Sequence, residues 1–163
     1  MCMWIVLGII VDQLIKLLIV SRFAVGELWT IFHGFTITLA MNRGVAFSLF
    51  AQSSGPGFWF LNAVIVLFNW FLIEFLYASK HQSRIYRFSL MLVITGALSN
   101  LIDRICYKAV VDYIVISVGT WTWPTIFNLA DVFISVGCLM LCVLQLSSKK
   151  SQASVAQEKK IHS

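Results

Sequence analysis

Two aspartates, Asp112 and Asp131, stand at the edges of apolar stretches, in the words Val110-Val111-Asp112-Tyr113 and Phe127-Asn128-Leu129-Ala130-Asp131. A carboxylate costs about 2.5–3.5 kcal/mol at the centre of a membrane helix, and less toward the interface. A chain that bears this cost twice has a chemical use for the pair. Two neighbouring carboxylates cannot both ionise readily, so they share a proton and their titrations split apart. One then acts as general base toward a water and the other as general acid toward a leaving nitrogen, which amounts to amide hydrolysis without a metal. Other hydrolytic constellations are missing from the sequence. There is no G-x-S-x-G and no H-E-x-x-H, and His33, His81 and His162 fall in loops and the tail. Cys2, Cys106, Cys138 and Cys142 form no C-x-x-C, so neither a metal nor another cofactor is expected.

Several polar residues accompany the pair. Asn128 lies three residues before Asp131 and shares its helical face. A simple N-cap would explain one of these residues but not both. Asp112 has the alternative of pairing with Arg104 or Lys108. Asn100, Asp103 and Arg104 form an i, i+3, i+4 stripe, and Asp12 and Lys16 are spaced for an internal ion pair. Asn42, Asn100, Arg104 and Asn128 are candidates for orienting substrate or the aspartates. Asp12, Lys16 and Asp103 are read as structural polar residues.

The elements that must position these groups are membrane helices. The chain is 60% hydrophobic and 12% charged with mean hydropathy +0.88, against about 45–50% and about 25% in soluble domains. The net charge of +5 would suggest a nucleic-acid partner in a soluble protein; here its positions are segregated and no nucleic acid is expected. Apolar stretches at about 3–20, 58–79, 88–105 and 127–146 are each near the length of a spanning helix. The first lacks a basic leader and a small-residue cleavage site and contains Asp12 and Lys16, so it is expected to be retained. Lys80, Arg84 and Arg87 fill the second connection, and Lys149, Lys150, Lys159 and Lys160 follow the fourth span. The positive-inside rule puts both termini in the cytoplasm and the first and third connections outside.

The first connection, residues 21–57, is too long to be idle. Phe35-Thr36-Ile37-Thr38-Leu39 alternates as a strand does, glycines supply turns, and Trp29, Phe32, Phe35, Phe47 and Phe50 suit the headgroup level. A shorter piece of the same kind, Trp121-Thr122-Trp123-Pro124, precedes the fourth span. The expected fold is an all-α membrane protein of four transmembrane helices with a small extracytoplasmic β-sheet between helices 1 and 2. Residues 1–146 form a single domain, and the polar tail 147–163 is expected to be disordered or a frayed helix.

Five words in order now carry a resemblance: Asp12-x-x-x-Lys16; Asn42, Gly44, Ala46 and Phe47; Asn100, Asp103 and Arg104; Val110-Val111-Asp112; and Phe127-Asn128-x-Ala130-Asp131. Together they resemble the bacterial lipoprotein signal peptidases, or signal peptidase II. The resemblance implies an intramembrane aspartyl endopeptidase with Asp112 and Asp131 as its catalytic dyad. It also implies cleavage of prolipoproteins before a diacylglyceryl-modified cysteine, by a monomer near the outer face of the inner membrane. Thr95 and Ser99 stand where that family usually has glycine, and Tyr113 where it usually has Phe; Ser99 is expected to add bulk beside Asn100. The rival reading is a small transporter or channel subunit with proton- or cation-binding carboxylates. Such a protein would place them near mid-span between short connections. A non-catalytic membrane subunit would leave both aspartates unexplained.

Overall fold

The structure, a computed structural model, describes residues 2–43 and 55–161. Four helices form the bundle: α1 (Cys2–Arg22), α2 (Pro56–Ala78), α3 (Arg84–Tyr107) and α4 (Leu129–Ile161). Each contains a run long and apolar enough to span a membrane, within a few residues of the expected stretches. Half of the α3 run is buried, against 17%, 22% and 11% for α1, α2 and α4. The third helix is therefore the central one, and the others turn side chains such as Leu14, Phe71 and Leu139 outward. In water these faces would be unstable; in lipid they cost nothing.

Local chemistry sets the limits of α3. Its N-cap Ser83 accepts the Tyr86 N–H, and Lys108, at φ 55, turns the chain out of the helix. Small residues let the helices approach closely. A β-carbon at Gly96 would collide with the Ala130 carbonyl, and one at Gly137 would lie 2.7 Å from the Ser89 carbonyl oxygen. Leu72, Leu76, Leu90, Val93 and Ile94 form the apolar contact between α2 and α3.

Four antiparallel strands cap one end of the bundle in the order β1 (Leu28–Phe32), β2 (Phe35–Asn42), β3 (Val110–Val118) and β4 (Trp121–Thr122). The hairpin of β1 and β2 is the sheet expected between the first two helices. Its turn contains Gly34, whose φ of 91 favours glycine and whose carbonyl accepts the Ser117 N–H of β3 at 2.9 Å. The sheet is wider than the first connection alone predicts. The apolar run around Asp112 is rich in β-branched residues and forms the adjoining strand β3, and Trp121-Thr122 adds β4. Ile19 of α1 packs with Leu39, Val111 and Tyr113, seating the sheet on the helix end. Trp29 and Phe32 are exposed on β1.

Residues 147–161, expected to be disordered or a frayed helix, continue α4 as helix to Ile161. No Gly or Pro interrupts residues 147–161, and Ala, Gln, Glu and Lys there are good helix formers. The residues Gly44, Ala46, Phe47 and Phe50, singled out in the sequence, lie outside the described residues.

Candidate active site

The strand register places the first carboxylate. Asp112 on β3 lies opposite Ala40 of β2, and Asn42 lies opposite Val110. Asn42 is therefore the diagonal neighbour of Asp112 on one face of the sheet. Its Nδ2 donates to Asp112 Oδ2 at 2.9 Å, while Asn128 Nδ2 donates to Asp112 Oδ1 at 2.7 Å.

The start of α4 places the second. Asn128 Oδ1 accepts the Asp131 N–H at 2.9 Å, and Asp131 Oδ2 accepts the Asn128 N–H at 3.2 Å. This is a reciprocal capping box, and the acidic member suits the positive end of the helix dipole. Capping and contact with the other aspartate coexist in one side chain, so the two sequence readings of Asn128 are compatible. Asp131 Oδ1 accepts from Asn100 Nδ2 at 2.8 Å. All four carboxylate oxygens thus receive an N–H donor. Asp112, Asp131 and Asn42 line one cavity of about 590 Å³, with Trp123, Ile126 and Ser135 among its walls.

Burial pushes the Asp112 carboxyl up to about 6; the Asn42 amide pulls it down, and the charge of Asp131 pushes it up again. A carboxyl poised there exchanges its proton near neutrality. Its close partners are carboxamides. Among the described residues neither Arg104 nor Lys108 forms an ion pair with it.

Beneath the pair lies an ion cluster. Lys16 Nζ is 2.8 Å from Asp12 Oδ2 and 2.7 Å from Asp103 Oδ2, and all three side chains are essentially inaccessible. It also donates to Asn100 Oδ1 at 2.9 Å, orienting that carboxamide so that its Nδ2 faces Asp131. The two acids have a second task. Asp103 Oδ2 accepts the Val111 N–H at 3.1 Å, and Asp12 Oδ1 accepts the Ala130 N–H at 3.1 Å. Each buried acid therefore holds the backbone one residue before a candidate catalytic aspartate. The polar stripe of α3 divides accordingly: Asn100 joins the site, Asp103 faces α1, and Arg104 Nη1 folds back onto the Asn100 carbonyl at 3.1 Å.

The family model for Signal peptidase (SPase) II matches residues 4–147. The chain belongs to the signal peptidase II family. It is 36% identical over 140 residues to a lipoprotein signal peptidase of Cupriavidus taiwanensis, covering 86% of this chain and 78% of the relative. It is 38% identical over 141 residues to one of Burkholderia mallei, covering 85% and 84%. A solved bacterial membrane enzyme, determined by the in meso method at 2.3 Å, superposes with TM-score 0.77 at 26% identity over 90% of this chain and 87% of that one. The protein is accordingly a peptide hydrolase and a multi-pass membrane protein of bacterial type.

Its departures from the usual family pattern have structural counterparts. The Tyr113 hydroxyl accepts the Leu129 N–H at 3.2 Å, covering a free donor in the first turn of α4. Burial pushes the ionisation of that hydroxyl upward, so it stays neutral. Ser99 is placed differently from the expectation. It points to α1, donating to Asp12 Oδ2 at 2.6 Å, and is not among the residues lining the aspartate cavity. Thr95 fits because residue 8 is glycine: a β-carbon there would meet Thr95 Cγ2 at 2.7 Å.

Sequence reasoning passed over Gln13, whose Nε2 donates to Asp103 Oδ1 at 2.8 Å and to Ser99 Oγ at 3.0 Å. Its signal was present, an amide inside an apolar span beside Asp12. The cavity walls Ile116, Ile126, Val132 and Val136 gave no such signal, because only the fold decides which apolar residues face inward.

Proposed function

We propose that Asp112 and Asp131 are the acid–base dyad with which this peptidase removes signal peptides from prolipoproteins, cutting on the N-terminal side of a diacylglyceryl-modified cysteine. The observation that carries this reading is the shared cavity, in which both carboxylates meet through the single carboxamide of Asn128. With one proton between them, the ionised carboxylate takes a proton from water as the water attacks the scissile carbonyl. The protonated one delivers its proton to the leaving nitrogen. Burial pushes the Asp112 carboxyl up to about 6, so it can take up and give back a proton near neutrality. Asn42, Asn100 and Asn128 hold the carboxylates by N–H donation. Arg104 steadies the Asn100 backbone. The apolar walls receive a lipidated substrate that arrives sideways from the membrane, and they keep bulk water from the reacting atoms.

The segregation of Lys and Arg favours cytoplasmic termini, with the sheet and dyad at the outer face of the inner membrane, and a monomer suffices for this geometry. The test is cleavage of a purified prolipoprotein with and without prior diacylglyceryl modification, in the absence of added metal. Only the lipidated form should be cut, and Asp112→Asn and Asp131→Asn should each reduce the rate by at least about 100-fold. Substantial turnover by either variant would remove the dyad from the mechanism.

A further inference from the structure

A second groove, of about 260 Å³, lies between α2 and α3, outside the dyad cavity and lined by Phe58, Trp59, Asn62, Leu101, Ile105 and Lys108. It is apolar apart from one cation and one amide. The Lys108 ammonium stands over two rings, 5.3 Å from the centroid of Phe58 and 5.2 Å from that of Trp59. Its backbone is left-handed, φ 55, at a helix end where glycine costs least. A lysine kept in that conformation points to a use for its side chain.

Among the described residues no side chain supplies a counter-charge. Of its seven acids, Asp12 and Asp103 hold Lys16, and Asp112 and Asp131 form the dyad. Glu27 accepts the Ala24 N–H, and Glu74 contacts Trp70 on the same helix. Glu158 lies near the far end of α4, about 40 Å along the helix from its start. Among the described residues Lys108 has no ion-pair partner, and residues 44–54 contain no acid. Asn62 completes the pattern. Its Nδ2 donates to the Phe58 carbonyl at 2.7 Å, while its buried Oδ1 has no donor among the described residues. Hydrocarbon alone leaves both groups unsatisfied.

We propose that this groove binds an anionic glycerophospholipid of the leaflet that faces the sheet. Its phosphate sits on the Lys108 ammonium, whose three N–H donors are not consumed by the rings, and an acyl chain runs along Phe58, Leu101 and Ile105. A headgroup bearing hydroxyls supplies the donor that Asn62 lacks. Trp59 and Ile105 are exposed at the rim, so the lipid enters sideways from the bilayer.

Native mass spectrometry of the full chain, released from bilayers of equal phosphatidylglycerol and phosphatidylcholine, tests this. The parent protein should retain phosphatidylglycerol preferentially. Lys108→Gln should lower that preference roughly 10-fold, the loss of one charge-assisted contact, and Lys108→Arg should restore much of it. Ile105→Trp keeps the cation, fills the groove from its exposed rim and should also reduce retention. Arg84→Gln, at the opposite end of α3, should change nothing. Equal retention by the parent and Lys108→Gln would overturn the proposal, as would a parent with no preference between the lipids. Displacement of the effect by inorganic phosphate alone would overturn it too, by showing an anion site without a lipid.

Discussion

Asp112 is buried as a strand residue yet must ionise, and this tension has a measurable sign. Its folded carboxyl is pushed up to about 6 from an ordinary 3.8, so the folded state holds the proton more tightly than the unfolded chain. Stability therefore rises as pH falls from about 6 toward about 4 and is lost as pH climbs through 6. Asp112→Asn removes the titration. Thermal melts should show the variant more stable than the parent above pH 6, with the difference vanishing below about pH 4. An unchanged difference across that window would show that burial is not what holds the proton. Tyr113→Phe should cost about 1 kcal/mol of stability by uncovering the Leu129 N–H, with little change in turnover. Asp112, Asp131 and Asn128 were legible in the sequence because carboxyl and amide groups beside apolar runs are conspicuous. Their partners were less so. That Asn42 reaches Asp112 depends on strand register, and no local pattern in residues 35–42 fixes the pairing with residues 110–116.

The same division holds for the elements. Four spanning helices follow from length and hydropathy, and the β1–β2 hairpin from alternation and turn residues. The strand β3 did not follow so directly, since an apolar run of that length suits a buried strand or a helix end equally until a neighbour pairs with it. How helices meet is set by small residues. Gly96→Leu must drive α3 away from the Ala130 carbonyl, one residue before Asp131. Overpacking of this kind costs about 1–3 kcal/mol, and cleavage should fall more than stability because the dyad is displaced. The ion cluster gives a sharper test. Lys16→Met leaves Asp12 and Asp103 buried without their cation, and a loss of about 3–5 kcal/mol should appear in denaturation. Should the variant melt like the parent, the cluster contributes nothing to assembly.

For the whole molecule, the distribution of charge predicts a single orientation. In a background without the native cysteines, Gly119→Cys and Gly55→Cys should be labelled from outside intact cells, and Arg84→Cys only after permeabilisation. The opposite pattern would place the dyad on the cytoplasmic side. One further consequence follows from the bond between Asp12 Oδ1 and the Ala130 N–H, which joins positions 118 residues apart. Synthesis makes α1 well before α4, so the Asp12 carboxylate waits for α4 before it finds that backbone. Synthesis thus runs in an order that keeps the blade sheathed: a nascent chain with three helices in the bilayer has Asp112 but neither Asp131 nor Asn128. On the proposed dyad, cutting power arrives only with α4, so a half-made enzyme would not nick the membrane proteins being threaded beside it.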